Sequence, residues 1–237
     1  MRYVATMDDH QGASRADVAY RHLKGLILSA ELLPDSVVDE KEIARELGMS
    51  RTPVRQAIGR LAHEGFVRVL PQRGTLVAPL SVTDIEQVYL MRSLVEPAAG
   101  ALAAQRAEES DIARLDRLEQ EYLAALEESG DHSPHTTFHV AVAEVAGIPR
   151  LTKIVRELQE QTQWFLAVRH RQGRQLPSPH NHRSLIEAIA AADVERAREI
   201  ARTSILSSRA KILTGTVTDA ELLLSGSSVL PGELSGI

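Results

Sequence analysis

The pattern of apolar and polar residues is most informative between residues 50 and 61. Apolar side chains recur there at the three- and four-residue spacing of a helix that buries one face. These side chains belong to Val54, Ala57, Ile58 and Leu61. The other side of the same helix is polar, with Arg51 at its start and Arg55 and Arg60 on its flanks. The pattern therefore predicts a helix with one buried face and one basic, exposed face.

The segments before and after this helix predict the rest of a small domain. One helix is predicted at about 15–30, and a shorter one at 39–47 ends at Gly48, which supplies a turn. After Gly65, the alternating runs FVRVL and TLVAP flank the turn PQRG and predict two short strands. Two helices joined by a turn of about three or four residues match the helix-turn-helix spacing. The strands then add a wing, so the prediction is a winged helix-turn-helix.

Helical periodicity continues through most of the remaining chain. Helices are predicted at about 82–107, 110–129, 133–146, 150–171, 180–191 and 193–212. Helices with short connections form antiparallel bundles, so an all-α bundle of six to seven helices is expected. The predicted domains are a flexible tail at 1–14, the winged helix-turn-helix at 15–79, the helical domain at 80–213, and a tail or arm at 214–237. The fold class is thus mainly α.

Composition agrees with helix packing and excludes several kinds of chemistry. Of the 237 residues, 43% are apolar but only 3% are aromatic, which favours helices over sheets. The chain has no cysteine, which excludes disulfides, thiolate metal sites and cysteine nucleophiles. Neither a signal peptide nor an apolar span of about 18 residues is found, so a cytoplasmic protein without a membrane partner is expected.

Charge is distributed unevenly along the chain. The formal net charge is -5, which argues against indiscriminate binding of polyanions. The stretch 50–75 nevertheless contains five arginines and only one acidic residue, Glu64. A compact basic patch on an otherwise acidic protein predicts one localised anionic partner.

The same stretch resembles a known family. The runs LGMSRTPVRQAIGRLAHEGFV and QRGTLVAP are similar to the N-terminal signature of GntR-type bacterial transcription regulators. The similarity spans about 60 residues, which makes it far more specific than a short motif. It implies contacts with double-stranded operator DNA from the second helix, the start of the third helix and the wing. The implied residues are Lys41, Arg51, Thr52, Arg55, Arg73 and Gly74.

Physical chemistry gives these residues separate roles. A helix fits the DNA major groove, where arginine suits the O6 and N7 acceptors of guanine, so Arg51 and Arg55 are predicted to read bases. Ser50 and Thr52, at the helix N-terminus, can bond a phosphate. Arg73 at the wing tip can enter a minor groove of the DNA or contact the DNA backbone. The alternative to DNA binding is that these arginines lie on a solvated face and form surface salt bridges.

The helical region resembles a second domain type. The runs IEQVYLMRSLVEPAAGALAA, FHVAVAEVAGIPRL and HRSLIEAIAAADVERAREI are similar to the C-terminal effector domain (FCD) of the FadR subgroup of GntR regulators. This resemblance is looser and extends over about 130 residues. It implies that the domain binds a small-molecule effector. Operator geometry independently predicts a homodimer, because two half-sites supply the specificity that one helix lacks.

Three histidines in the helical region are candidate metal ligands. His135 and His139 are four residues apart on one helix face, and His182 begins a helix about 40 residues later. The FadR-subgroup pattern of Asp, His, His and His falls here on His135, His139, His182 and Ser204, so one ligand has changed type and one is a poor ligand. Three imidazoles with an open position suit Zn²⁺, while Ni²⁺ and Mn²⁺ stay open. The alternative is a metal-free polar cavity.

Arg92 and Asn181 are candidate effector contacts. Arg92 falls on the apolar stripe of its helix, so it is expected to be buried and to need a partner. The resemblance implies that this partner is the acid group of the effector. The alternative is a salt bridge to Glu96 or Glu144, or a role at an interface. Asn181, beside His182, can supply another polar contact.

These predictions together describe a ligand-responsive transcription regulator. The expected mode is a repressor that a small carboxylate effector releases from its operator. One alternative is a regulator with a metal-free pocket for a larger ligand such as an acyl thioester. A more remote one is a metallohydrolase, but the HTTFH run lacks the general-base glutamate of HExxH, so the protein is not expected to be an enzyme.

Overall fold

A computed structural model of the protein describes residues 13–129, 133–174 and 181–225, with side chains as far as residue 212. The described residues fall into two compact units. The first contains residues up to Ser81 together with Glu160–Gln172, and the second contains Val82–Gln159 and residues from Gly173 onward. None of the helices in the described ranges combines the length and the apolar character that a membrane span requires.

The first unit contains the predicted winged helix-turn-helix. Its elements are α1 (Arg15–Leu28), α2 (Glu40–Glu46), α3 (Arg51–His63), β1 (Val67–Leu70) and β2 (Gly74–Val77). The two strands pair antiparallel, with Val67 opposite Val77 and Leu70 opposite Gly74. Its core includes the fully buried side chains of Leu23, Ile27, Val54 and Leu61. The apolar stripe predicted for the third helix is therefore the face that α3 packs into the core.

Helix α1 begins at Arg15, as predicted, but the residue before it is part of the helix cap rather than of a flexible tail. Ser14 was assigned to the flexible tail, but its side chain accepts a hydrogen bond from the backbone N–H of Asp17. The Asp17 carboxylate in turn accepts from the backbone N–H of Ser14, which completes a capping box. Residues 1–12, the rest of the predicted tail, lie outside the described residues.

The second unit is a helical bundle, as predicted. In the described part of the chain its helices are α4 (Val82–Arg106), α5 (Glu109–Ser129), α6 (Ser133–Val145), α7 (Pro149–Arg171), α8 (Arg183–Ala190) and α9 (Val194–Ser225). The second half of α7, from Glu160, belongs to the first unit. Helix α4 packs against α6, α8 and α9, while α5 packs against α6 and α8. The side chains of α4, α5, α6 and α8 therefore meet in the interior of one bundle.

Helix α9 extends beyond the predicted end of the helical domain. It continues to Ser225, so residues 214–225, assigned by the sequence analysis to a tail or arm, are helical. Ala220, Glu221 and the three following leucines have high helix propensity, which outweighs Gly215 and the nearby threonines. Residues 226–237 lie outside the described residues.

Candidate DNA-binding surface and metal site

The predicted DNA contacts lie on α2, at the start of α3 and in the wing. All seven predicted residues are exposed, namely Lys41, Ser50, Arg51, Thr52, Arg55, Arg73 and Gly74. Arg73 follows Gln72, whose φ of 63° is in the left-handed region, and precedes Gly74 with a φ of 94°. These two residues close the turn between β1 and β2 and hold Arg73 at its tip. Because they are exposed, these side chains are accessible to DNA, and their DNA contacts stay predictions.

Ser50 occupies the position of a helix N-cap, as expected. Its backbone is extended, with φ -73° and ψ 166°, but its hydroxyl makes no capping hydrogen bond to α3. An uncapped first turn offers backbone N–H groups that suit a phosphate.

Glu40 joins the two arginines that are predicted to read bases. Its Oε2 atom lies 2.8 Å from Arg51 Nη2 and 2.9 Å from Arg55 Nε. Hydrogen bonds from Arg51 and then Arg55 lower the pKa of the Glu40 carboxyl. The carboxylate is therefore charged at neutral pH and holds both side chains at the start of α3. The sequence does not predict this contact, because Glu40 lies on α2 and no spacing rule connects it to α3.

Replacing Glu40 by glutamine is expected to change DNA binding in two opposite ways. Affinity for random-sequence DNA should rise about five-fold, since one repulsive charge near a phosphate is worth about 1 kcal/mol in water. Discrimination between operator and random DNA should fall, because Arg51 and Arg55 both bond the same Glu40 oxygen and the neutral amide oxygen of glutamine holds two guanidinium groups more weakly than a charged carboxylate oxygen. Anisotropy titrations on both DNAs measure the two effects. The control is Glu42→Gln, which removes the same charge from α2 at a carboxylate paired with Arg45; equal discrimination in the two variants would contradict the anchoring role.

The three predicted metal ligands lie together in the second unit. One ligand nitrogen from each of His135, His139 and His182 lies within 4.8 Å of the other two. The Nε2 atoms of His135 and His139 are 3.3 Å apart. The ring centroids are separated by 4.5 Å, 5.1 Å and 4.9 Å, so the imidazoles form a triangle. The predicted grouping of these residues is therefore present in the fold.

The histidine geometry fits a tetrahedral metal ion. With metal–nitrogen bonds of about 2.0–2.1 Å, two ligand nitrogens in a tetrahedral site are about 3.3–3.4 Å apart. The separation of 3.3 Å between His135 and His139 has this value. His182 needs only a small shift, since its ligand atom already lies within 4.8 Å of both others. Two imidazole nitrogens this close also need a cation or a proton between their lone pairs.

His182 is held by a carboxylate that the sequence analysis missed. Glu119 on α5 accepts a hydrogen bond from the backbone N–H of His182 at 2.8 Å, and its other oxygen lies 2.6 Å from His182 Nδ1. Burial raises the pKa of Glu119, but the two bonds from His182 outweigh it and the net shift is downward. Burial also lowers the pKa of His182. The pair therefore consists of a carboxylate and a neutral imidazole, the form that binds metals.

Arg92 is buried and pairs with Glu96, one of the two partners that the sequence analysis left open for it. Arg92 Nε lies 2.8 Å from Glu96 Oε1, which also accepts from Gln159 Nε2 at 2.8 Å. Glu96 Oε2 lies 3.2 Å from His139 Nδ1, although this contact is not aligned as a hydrogen bond. Burial favours the neutral acid, but Arg92 and His139 outweigh it and lower the pKa of Glu96 to about 2. Arg92 is therefore linked through Glu96 to a candidate metal ligand.

The two remaining candidates lie outside this cluster of hydrogen bonds. Asn181 is exposed although it precedes the buried His182. Ser204 is half-buried on α9, and the cluster of potential metal ligands found among the described residues consists of the three histidines alone. Asn181 stays a prediction as an effector contact. A metal ion held by the three histidines would have its fourth position open for water or an effector oxygen.

Comparisons with known proteins give the same two domains. The family model "Bacterial regulatory proteins, gntR family" matches residues 15–77, and the model "FCD domain" matches residues 87–206. The Nta operon transcriptional regulator of Aminobacter aminovorans is 30% identical over 141 residues, which cover 57% of this chain and 65% of that protein. The first three curated relatives are matched over 39% to 65% of their own lengths.

Two further comparisons extend over more of the chain. The probable D-xylose utilization operon transcriptional repressor of Paenarthrobacter nicotinovorans is 32% identical over 68% of this chain and 72% of its own length. The solved structure of E. coli McbR/YncC has a TM-score of 0.73 and 22% identity, covering 86% of this chain and 99% of that one. This structural likeness shows that the fold is shared.

A winged helix-turn-helix with a basic exposed helix, joined to a helical bundle, defines a class of DNA-binding transcription regulators rather than enzymes. Within that class, the chain belongs to the GntR family and carries an FCD domain. The family assignment made from the sequence is confirmed.

Proposed function

We propose that the protein is a repressor that binds operator DNA as a homodimer and is released by a small carboxylate effector bound in the helical domain. The observation that carries this proposal is the convergence of three histidines beside a buried Arg–Glu pair in an FCD domain. A repressor of this kind acts in the cytoplasm, where bacterial DNA is found. The relatives of the chain include an operon regulator and a probable operon repressor, which supports this mode.

The proposed metal ion is Zn²⁺, with Ni²⁺ and Mn²⁺ as alternatives. His135, His139 and His182 would hold it through neutral imidazoles, which suit a borderline cation. Once bound, the ion supplies a Lewis-acid position to which a carboxylate or water can bind. The 3.3 Å separation between two of the nitrogens has the value of a tetrahedral zinc site, and the alternative is a metal-free cavity in which the two rings share an N–H···N hydrogen bond.

Charge balance favours an anionic effector at this position. The charged groups bonded to the histidines or to one another are Arg92, Glu96 and Glu119, with a sum of -1 when the histidines are neutral. A divalent cation changes that sum to +1. A monocarboxylate would then neutralise the site, whereas without the ion it would meet a net negative charge. The proposed Arg92 contact with the effector acid is thus secondary to the metal, because Arg92 is already paired with Glu96.

The proposed homodimer has a candidate contact surface on α4. Leu90 and Leu94 are one helical turn apart and are 58% and 64% exposed, and the neighbouring Met91 is 43% exposed. Large apolar side chains that cluster on a surface mark interaction sites. A second copy that covers this stripe would place two recognition helices in one assembly, as a two-half-site operator requires.

A ligand screen tests the proposed function. Thermal unfolding of the zinc-loaded protein is measured with monocarboxylic, dicarboxylic, sugar and amino acids, because a ligand at 100 times its Kd adds about 2.7 kcal/mol to stability. At least one acid is expected to raise the Tm and to lower affinity for operator DNA in an anisotropy titration. Tighter operator binding with that acid would reverse the repressor assignment. Stabilisation of the metal-free protein by an acyl thioester alone would favour the larger-ligand alternative.

A further inference from the structure

Glu119 makes two contacts with a single histidine. The residues are 63 positions apart in the chain, and their side chains are only 7% and 3% exposed. One carboxylate oxygen binds the backbone N–H of His182 at 2.8 Å and the other lies 2.6 Å from its Nδ1 atom. Phe138 stacks on the His182 ring with 4.1 Å between centroids and 21° between planes. The stacking on Phe138 therefore fixes the plane of the His182 ring, and the contact with Glu119 fixes which ring nitrogen points toward α5.

The contact with Glu119 determines which ring nitrogen carries the proton. A carboxylate only accepts hydrogen bonds, so His182 Nδ1 must be the donor. In the neutral imidazole the lone pair is then on Nε2, the only other ring nitrogen, and a metal ligand needs that lone pair. Carboxylate partners of this type orient histidine ligands and raise their basicity.

We propose that Glu119 is a positioning residue that prepares His182 as an Nε2 metal ligand before any ion is bound. This inference rests on the proposed metal site in the helical domain. Glu119 itself does not coordinate the ion; it acts through His182. The site is then preorganised by the protein, and its affinity for zinc depends on a residue outside the ligand set.

The neighbouring carboxylate has a different arrangement. Glu96 lies 3.2 Å from His139 Nδ1 without hydrogen-bond alignment, and its other oxygen already accepts from Arg92 and Gln159. Its contact with His139 is thus longer, and only one of its two oxygens is near that histidine. Glu119, by contrast, uses both oxygens on His182. Loss of Glu119 is therefore expected to lower zinc affinity more than loss of the Glu96–His139 contact.

Glu119→Gln tests the proposal with little change of shape. A carboxamide has one acceptor oxygen and one donor nitrogen, so it cannot accept from both the backbone N–H and Nδ1 of His182. Either one bond is lost, or the His182 proton moves to Nε2 and points at the metal position. Zinc affinity, measured by competition with a chelating dye, should fall about 10- to 100-fold. Glu121→Gln on the exposed side of the same helix is the matched control and should bind zinc like the wild-type protein.

Nitrogen-15 NMR of the histidine rings supplies a readout that a purely structural role would not change. In the zinc-free wild-type protein at neutral pH, His182 should carry its proton on Nδ1. A proton on Nε2 would overturn the proposal even if Glu119→Gln failed to fold. Equal zinc affinity in the folded Glu119→Gln variant and the wild type would also overturn it. If the wild-type protein bound no zinc, Ni²⁺ or Mn²⁺, the proposed metal site itself would fail instead.

Discussion

Replacing Arg51 and Arg55 together by alanine is expected to weaken operator binding by at least about 30-fold. Each bidentate arginine–guanine contact contributes about 1–3 kcal/mol of discrimination, so two contacts give about 2–6 kcal/mol. Both side chains are exposed, and the apolar face of α3 packs on the opposite side of the helix, so folding should be preserved. Anisotropy titrations on operator and random DNA measure the loss. Binding to random DNA should weaken less, because it depends on charge alone.

The control for this experiment is a second pair of arginines. Arg15 and Arg21 are exposed on α1, and their replacement by alanine removes the same two positive charges from the same unit. Operator affinity in this control should fall only through the loss of two positive charges that attract DNA. If both double variants lost the same affinity, Arg51 and Arg55 would be ordinary surface charges rather than base-reading residues.

The second large effect is expected for His139→Ala. His139 contributes a nitrogen 3.3 Å from that of His135, and its loss leaves two imidazoles, which hold zinc poorly. Zinc affinity should fall by roughly 100-fold or more, beyond the effect of losing a supporting carboxylate. Any acid found to stabilise the wild-type protein should no longer stabilise this variant, because the charge of the site stays negative without the ion.

Metal analysis of protein purified without chelator measures this effect directly. His170→Ala, at an exposed histidine near the end of α7, is the matched control and should retain the wild-type metal content. Retention of zinc by His139→Ala at the wild-type level would show that the three histidines are not the ligand set. If metal-free His139→Ala were still stabilised by the acid, the effector would bind at a place other than the metal site.

The spacing of apolar and polar residues predicts the helices and strands, because this spacing repeats within a few residues. The buried positions Val54 and Leu61 fix the orientation of α3, and the four-residue spacing of His135 and His139 places both on one face of α6. The sequence leaves Arg92 open to the acid group of the effector or to a salt bridge with Glu96 or Glu144. The structure contains the Arg92–Glu96 pair, which sequence spacing alone could name but not select.

The contacts that the sequence did not predict join distant segments. Glu119 and His182 are 63 residues apart and meet only because α5 packs against α8. Glu40 reaches Arg51 and Arg55 across the turn between α2 and α3. Neither carboxylate belongs to a short motif, and acidic residues on helix surfaces are common. Only the packed bundle and the folded helix-turn-helix distinguish these two from the other acidic side chains.

The most direct test of the account is selection of binding sites from random duplex DNA by the full-length protein. The wild-type protein is expected to enrich an inverted repeat whose half-sites are about one helical turn, or a small multiple of it, apart. The Arg51→Ala, Arg55→Ala variant is expected to enrich no sequence under the same conditions. An absence of enrichment by the wild-type protein, or the same enriched sequence from both proteins, would contradict operator recognition by α3.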